Sequence, residues 1–362
     1  MPTAARIRSR LAPVVLAFVL LSGCGTTIAP SAGATSQAAD SPLVGQLAGS
    51  VTDSGAFVHL QALQQIADQH GGNRASPSPG YDASVDYVAG VLRKAGYDVS
   101  TPTYQASDED SDGDSHGDSD SRADSHSDSA PTLRNVIAQT RGGDPDHVVV
   151  IGAHLDSVTK GPGIVDDGSG VATLLEIANH LGASPGTRNT VRFAFFGSEE
   201  EGALGSAAYV QSLSAADRKK IMLYLNVDMV ASPNAGYFVQ GGQGDDKSAT
   251  GPEGSATIAA VLAEQLQRTG VAAETIEFVG DDEAPFVKAG IPAGGAENGD
   301  HKKKTEEQTK AWGGQAGEVY DRCYHSACDR LDNVNRVVLS HYLRAIAGTL
   351  AHFATSDDKL AR

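Results

Sequence analysis

The stretch TVRFAFFGSEEEG, residues 190–202, joins an apolar run to three consecutive glutamates. The run has almost no polar alternation, which is typical of a strand buried on both faces of a sheet. HVVVIGA (147–153) and IMLYLNVDM (221–229) are similar, and SGVATLLEIANHLG (169–182) between them has apolar residues at helical spacing. Strands that alternate with helices predict an α/β fold. We expect a mainly parallel mixed central sheet with helices on both faces, in a single catalytic domain.

Residues with metal-binding chemistry cluster near the ends of these strands. Ligands of parallel sheets bind at the carboxyl ends of the strands. Each residue alone has an ordinary structural interpretation, such as Asp167 as a helix N-cap. Two imidazoles and several carboxylates at one sheet edge, however, are the ligand set preferred by zinc pairs. The set is His154, Asp156, Asp166, Asp167, Glu199, Glu200, Glu201, Asp228 and His325.

The three glutamates of the opening stretch raise a question of charge. Adjacent carboxylates repel each other, and burying even one of them requires a compensating cation. Neighbouring side chains of extended backbone point in opposite directions. The residues are therefore either a solvated turn, or a metal site in which one glutamate binds the ion and its neighbour takes a proton.

The chain is similar to the M28 zinc aminopeptidases, especially the secreted bacterial enzymes of the Streptomyces and Aeromonas type. The similarity covers about residues 55–355 and rests on the order of GAHLDSV, GPGIVDDGSG, FFGSEEEGALGS, YLNVDMVASPN, AGIPAGG and WGGQAGEVYDRCYHSACD. It implies a metalloaminopeptidase that removes the N-terminal residue of peptides through a zinc-bridged hydroxide and a glutamate general base. The expected partners are peptides with a free N-terminus, and the expected state is a monomer.

The resemblance also implies two Zn²⁺ ions per chain and their ligands. One zinc would lie on His154, Asp166 and Asp228. The other would lie on Asp166, Glu200 and His325, so that Asp166 bridges the pair. A glutaminyl cyclase-like transferase with a single zinc shares the expected fold and is the alternative; the presence of both histidines with Asp166 favours two ions.

Further roles follow from the same resemblance. Glu199 matches the general base, and Asp156 matches a carboxylate that orients a zinc-bound histidine. Tyr324 matches a hydroxyl that hydrogen-bonds the tetrahedral intermediate. Asp167 matches the second residue of a cis peptide within the site. Glu201 matches no catalytic residue and is expected in solvent.

The segment VGDDEAPF departs from the pattern of this family. Some relatives carry a basic residue there, whereas this chain has only the acids Asp281, Asp282 and Glu283. We expect these carboxylates to face solvent. If they instead line the specificity pocket, cationic substrate side chains would be favoured over apolar ones.

The N-terminus predicts export and anchoring. Basic residues precede an apolar core, residues 11–21, that is too short for an ordinary membrane span, so residues 1–23 are predicted to be a signal peptide. The sequence LSGC at 21–24 resembles a bacterial lipobox, which predicts lipidation of Cys24. Residues 24–50 would then be a flexible tether. The protein is expected on the outer side of the cell membrane as a lipoprotein; a plain signal peptide with extracellular release is the alternative.

The other two cysteines, Cys323 and Cys328, lie close together in CYHSACD. In an exported protein they are predicted to form a small-loop disulfide. A cysteine-based zinc site is the competing interpretation. This segment belongs to a predicted peptidase domain over residues 51–356, which a short tail, residues 357–362, follows.

The chain is strongly acidic, and part of that charge is concentrated in one segment. The net charge of −17 argues against nucleic acid as a partner. Residues 107–129 contain nine acids against Arg122 and are predicted to be a disordered insertion in a hairpin. They begin with a partial calcium-loop pattern at 108–113, but Ser119 stands at its twelfth position, where a bidentate acid is expected, so bound Ca²⁺ is the alternative.

Overall fold

The computed structural model describes residues 41–105, 131–241, 251–357 and 360. The predictions for the signal peptide, for Cys24 and for the acidic insertion lie outside the described residues. Within the described part, no helix is long and apolar enough to cross a membrane.

The central sheet has eight strands in the described residues, and parallel pairs dominate its middle. In the order β1-β4-β6-β5-β7-β10-β8-β9, the pairs β6-β5, β5-β7, β7-β10 and β8-β9 are parallel. The other pairs are antiparallel. The strands of the sheet are β1 (Asp98–Ser100), β4 (Val136–Gln139), β5 (Asp144–His154), β6 (Asn189–Phe196), β7 (Ile221–Val227), β8 (Phe238–Gln240), β9 (Glu274–Ile276) and β10 (Ala293–Glu297).

The helices begin at residues that cap their first turn. Thr52, Ser78 and Asp167 each accept a hydrogen bond from a backbone N–H of the following helix. The helices are α1 (Pro42–Ser50), α2 (Asp53–Gln69), α3 (Pro79–Lys94), α4 (Gly168–Leu181), α5 (Leu204–Ser212), α6 (Ala215–Lys220), α7 (Ser255–Arg268), α8 (Ala284–Lys288), α9 (Glu306–Trp312) and α10 (Arg336–Thr355).

Both faces of the sheet are buried, which confirms the predicted fold. Alternate residues of β5 enter different cores: Val149 and Ile151 belong to one cluster, and Val148 and Val150 to another. The first cluster includes α2, α4, α7 and α10, and the second includes residues of α5 and α8. Because both faces are buried, the central strands lack the alternation of apolar and polar residues that a strand with one solvent-exposed face has.

The predicted tether boundary at residue 50 is wrong. Helix α1 occupies Pro42–Ser50 and contacts α10. Its Val44 and Leu47 are buried in the first core cluster. Burial of these two side chains orders a segment whose Gly- and Ser-containing sequence suggests flexibility, so the folded domain includes α1.

The predicted hairpin around the acidic segment is confirmed at its two ends. Strands β2 (Thr103–Gln105) and β3 (Thr132–Arg134) pair antiparallel, with Gln105 opposite Thr132.

Candidate metal centre

Three adjacent parallel strands deliver the polar residues to one edge of the sheet. Strand β5 ends at His154, and β7 ends one residue before Asp228. Strand β6 ends at Phe196, followed by a turn that carries Glu199 and Glu200. Because the strands are neighbours in the order β6-β5-β7, the residues at their ends lie close together at one edge of the sheet.

Asp166 lies between two groups of donor atoms. His154 Nε2 is 3.0 Å from Asp166 Oδ1 and 3.7 Å from Asp228 Oδ1. On the other side, His325 Nε2 is 3.2 Å from Asp166 Oδ2 and 2.9 Å from Glu200 Oε2. Within each group the donor atoms all lie within 4.8 Å of one another. The two oxygens of one carboxylate thus face separate groups, each with one imidazole and one further carboxylate.

Burial makes this concentration of carboxylates dependent on positive charge. Desolvation raises the pKa values of Glu199, Glu200 and Asp228, and neighbouring carboxylates add to the effect. Burial also acts on Asp166, but the two histidines more than offset it and lower its pKa. Glu200 Oε1 is buried without a hydrogen-bond partner. Imidazole nitrogens and carboxylate oxygens are the ligand atoms that zinc binds, so this set of residues, with its unpartnered carboxylate oxygen, fits a zinc site.

Neighbouring carboxylates hold the backbone around Asp166. The Asp166–Asp167 peptide bond is cis, as the resemblance implied. Asp167 Oδ1 accepts hydrogen bonds from the backbone N–H groups of Gly170 (2.8 Å) and Met229 (3.1 Å). Asp329 accepts from the N–H groups of Val165 (2.8 Å) and of Asp166 itself (3.1 Å). Asp329 was not singled out in the sequence, because its partners are backbone groups far away along the chain.

Asp156 contacts both the histidine and the glutamate turn. Its Oδ1 is 3.7 Å from His154 Nδ1, which is longer than a hydrogen bond. The carboxylate accepts the backbone N–H groups of Glu199 (3.2 Å) and Glu200 (3.4 Å). Asp156 therefore positions the turn that carries Glu199 and Glu200, and it also lies beside the His154 ring. Glu201, the next residue, is exposed as expected.

A disulfide loop presents Tyr324 and His325. Cys323 and Cys328 are bonded, as predicted, with their Cα atoms 5.1 Å apart. The Tyr324 ring stacks on His325 with the ring centroids 3.8 Å apart. The side chain of His325 is 36% exposed and that of Glu200 only 6%, so a substrate can approach from the side of the loop.

Arg74 is a functional candidate that the sequence interpretation missed. Its side chain is fully buried, and its guanidinium donates to the carbonyls of Leu155, Pro162 and Gly163. These three residues belong to the loop that joins His154 to Asp166. Among the described residues Arg74 forms no ion pair. Its charge still interacts electrostatically with nearby carboxylates, those of Asp156 and Asp329 above all. An isolated arginine before a helix carries no local signal of such a role.

The expectation that Asp281, Asp282 and Glu283 face solvent is wrong. Asp282 and Glu283 are 1% and 0% exposed, and Asp281 is half-buried. They lie at the start of α8, whose Phe286 packs in the second core cluster. The packing of this short helix draws the preceding acids inward.

The fold and the two donor groups define a class of protein, metal-dependent hydrolases with a mainly parallel α/β sheet and a site at its carboxyl edge. The chain belongs to Peptidase family M28, whose family model matches residues 135–350. The resemblance seen in the motifs is confirmed.

Named relatives in several bacteria are similar to the chain. It is 42% identical over 295 residues to "Leupeptin-inactivating enzyme 1" of Streptomyces exfoliatus, covering 80% of this chain and 59% of that protein. It is 34% identical to "Probable lipoprotein aminopeptidase LpqL" of Mycobacterium tuberculosis, with 92% of each covered. An "Aminopeptidase" of Pseudomonas aeruginosa is 45% identical over 232 residues, which are 63% of this chain and 43% of that protein. The chain thus spans only part of the first and third relatives.

Solved structures show the same fold at low sequence identity. A zinc aminopeptidase, BSAP, from Bacillus subtilis has a TM-score of 0.66 at 18% identity, covering 86% of this chain and 97% of that one. A glutaminyl cyclase from Porphyromonas gingivalis has a TM-score of 0.59 at 21% identity, covering 83% and 98%. Both likenesses concern the fold alone.

Proposed function

We propose that the chain is a zinc-dependent aminopeptidase that hydrolyses the N-terminal residue from peptides. The observation that carries this proposal is Asp166, whose two oxygens face separate groups of histidine and carboxylate donors. Membership of a peptidase family and relatives named as aminopeptidases support it.

Five residues would hold two zinc ions. His154, Asp166 and Asp228 would bind one, and Asp166, Glu200 and His325 the other. Zinc supplies Lewis acidity, which polarises a substrate carbonyl and makes bound water a stronger acid.

Glu199 would act as the general base. Its turn is held by the hydrogen bond from its own N–H to Asp156, beside the ligand Glu200. Burial raises the pKa of Glu199, which suits a carboxylate that must accept a proton near neutral pH. It would take the proton of the attacking water and return it to the leaving amine. Tyr324, whose ring stacks on His325, would donate a hydrogen bond from its hydroxyl to the oxygen of the attacked carbonyl.

Selection for a free N-terminus would follow from the surplus of carboxylates. The α-ammonium group of a substrate is attracted to Glu199 and its acidic neighbours, which places only the first peptide bond at the reacting position. A blocked N-terminus removes that attraction.

A glutaminyl cyclase-like transferase remains the second candidate, because glutaminyl cyclases have this fold. The two functions differ in the expected number of metal ions. Both histidines are close to Asp166 in this chain, which supports the aminopeptidase.

Location and partners are part of the same proposal. The lipoprotein aminopeptidase relative covers 92% of this chain, which supports export and anchoring through Cys24, with peptides as substrates. We also propose a monomer.

One set of assays tests the function. Purified protein is expected to hydrolyse an aminoacyl-p-nitroanilide, to lose activity with a chelator and to regain it with zinc. The matched N-acetylated substrate should be inert. Elemental analysis should give two zinc ions per chain. One ion per chain, together with cyclisation of an N-terminal glutamine peptide, would favour the cyclase.

A further inference from the structure

A cavity of about 600 Å³ lies at the edge of the sheet where strand β10 ends. Its wall includes Glu297, the last residue of β10, together with Phe238 and Tyr320. Strand β10 is the parallel neighbour of β7, and Ala296 lies opposite Val227. Glu297 follows Ala296, and the metal-site residue Asp228 follows Val227. The two acids are therefore neighbours across adjacent strands, which are spaced about 4.8 Å apart.

Glu297 is a buried carboxylate that lacks a cation. It is 8% exposed, and its Oε2 accepts a hydrogen bond from Gln240 Nε2 at 3.1 Å. Within the described part of the chain it forms no salt bridge. Burial raises its pKa, and the hydrogen bond from Gln240, together with the charge of exposed Lys302 in the cavity wall, offsets this only in part. A carboxylate buried in this way is stabilised by any cation that enters the cavity.

Asp281 is a half-buried acid whose charge acts on Glu297. Its own pKa is raised by burial and then by Glu283 and Glu297. Asp281 therefore adds to the negative potential around Glu297.

We propose that the cavity is the pocket for the first side chain of the substrate and that Glu297 selects a cationic one, lysine or arginine. This inference rests on the proposed aminopeptidase function. The rings of Phe238 and Tyr320 pack against the methylene stem of such a side chain, and its charged end lies at Glu297.

The test compares side chains that share a stem and differ in charge. Lysine and norleucine p-nitroanilides are assayed with the zinc-loaded full chain and with Glu297→Gln. The wild type is expected to have a kcat/KM at least about tenfold higher for lysine, and Glu297→Gln should lower the lysine value by about tenfold to a hundredfold, as loss of a charged hydrogen bond does. The norleucine value should change by less than about threefold. Glu307→Gln, an equal change of charge on exposed α9 outside the cavity wall, should leave both values unchanged.

The outcomes separate the two proposals. Hydrolysis of neither substrate, nor of leucine p-nitroanilide, would contradict the aminopeptidase function itself. Hydrolysis of norleucine as fast as lysine, or an equal fall for both substrates in Glu297→Gln, would overturn the cationic pocket and leave the aminopeptidase function intact. If Glu297→Gln does not fold, competitive inhibition of the wild type decides: free lysine must bind at least about tenfold more tightly than norleucine, and equal binding overturns the inference.

Discussion

Glu199, Glu200 and Glu201 have the same chemistry, but the fold gives each a different environment. Glu200 Oε2 lies 2.9 Å from His325 Nε2, while Glu199 is half-buried without forming part of either donor group. Glu201 is exposed. Charge alone would predict similar defects when each is neutralised, whereas the geometry predicts three different ones.

The first prediction separates these glutamates. Glu199→Gln keeps the shape but cannot accept a proton, so it should retain zinc while turnover falls by about two to four orders of magnitude. Glu200→Gln replaces an anionic donor by a neutral one and should lose zinc, with part of the activity recovered at high zinc concentration. Glu201→Gln is the control and should match the wild type. Zinc per chain and turnover are measured for all three. Full zinc occupancy in Glu200→Gln, or an inactive Glu201→Gln, would contradict the assignment.

The second prediction concerns Arg74, which joins three carbonyl groups of the loop between two metal-site residues. Arg74→Lys keeps the charge but loses the planar fork that reaches Leu155, Pro162 and Gly163 together. Zinc affinity should fall by about tenfold or more, as happens when residues that orient ligands are changed. The measurement is a zinc titration with a competing chelator. Arg336→Lys, at an exposed pair with Asp53, is the matched control, and equal affinities in the two variants would refute a positioning role.

At the scale of elements, α1 shows that a short helix can belong to the domain without a strong sequence signal. Leu47 is 3% exposed and lies in the core cluster that includes α10. The third prediction is that Leu47→Ala lowers the free energy of unfolding by about 2–5 kcal/mol, since it removes buried methyl groups and leaves a cavity. Gln46→Ala, on the exposed side of the same helix, should change it by less than about 0.5 kcal/mol. Denaturant unfolding measures both, and similar stabilities would mean that α1 does not support the core.

Some elements could be predicted from the sequence and others could not, for physical reasons. Strands β5, β6 and β7 are apolar and β-branched, so their burial and the residues at their ends are visible in the chain. Strand β10 reads AGGAE and has no such signal. Its glycines are required by tertiary packing, because a Cβ at Gly294 would lie 2.5 Å from Ile258 and one at Gly295 2.5 Å from Gln240. The burial of Asp282 and Glu283 depends in the same way on contacts that α8 makes far from them in sequence.

At the scale of the whole molecule, the acidic segment 107–129 holds much of the negative charge of the chain. The hairpin on either side of it is complete, with Gln105 opposite Thr132. The fourth prediction is that a short Gly-Ser link in place of 107–129 leaves the melting temperature and turnover nearly unchanged, because the entropy of loop closure depends only weakly on length. Thermal unfolding with and without Ca²⁺ measures this. A large loss of melting temperature that depends on Ca²⁺ would instead support a calcium site in the segment.

The fifth prediction concerns where the catalytic domain is held. The lipobox-like sequence ends at Cys24, and α1 begins at Pro42, so about seventeen residues rich in Ser, Ala, Gly and Thr would join a lipid to the folded domain. Since the proposed metal-site residues all lie between His154 and His325, anchoring and catalysis should be separable. Cys24→Ser is expected to move active enzyme from the membrane fraction to the soluble fraction with kcat/KM unchanged, and Ser22→Ala, which keeps the cysteine, should stay with the membrane. Fractionation of cells followed by the peptidase assay measures both. A Cys24→Ser protein that remains in the membrane fraction would contradict lipidation at this residue and leave the aminopeptidase proposal standing, because the five proposed zinc ligands lie between residues 154 and 325.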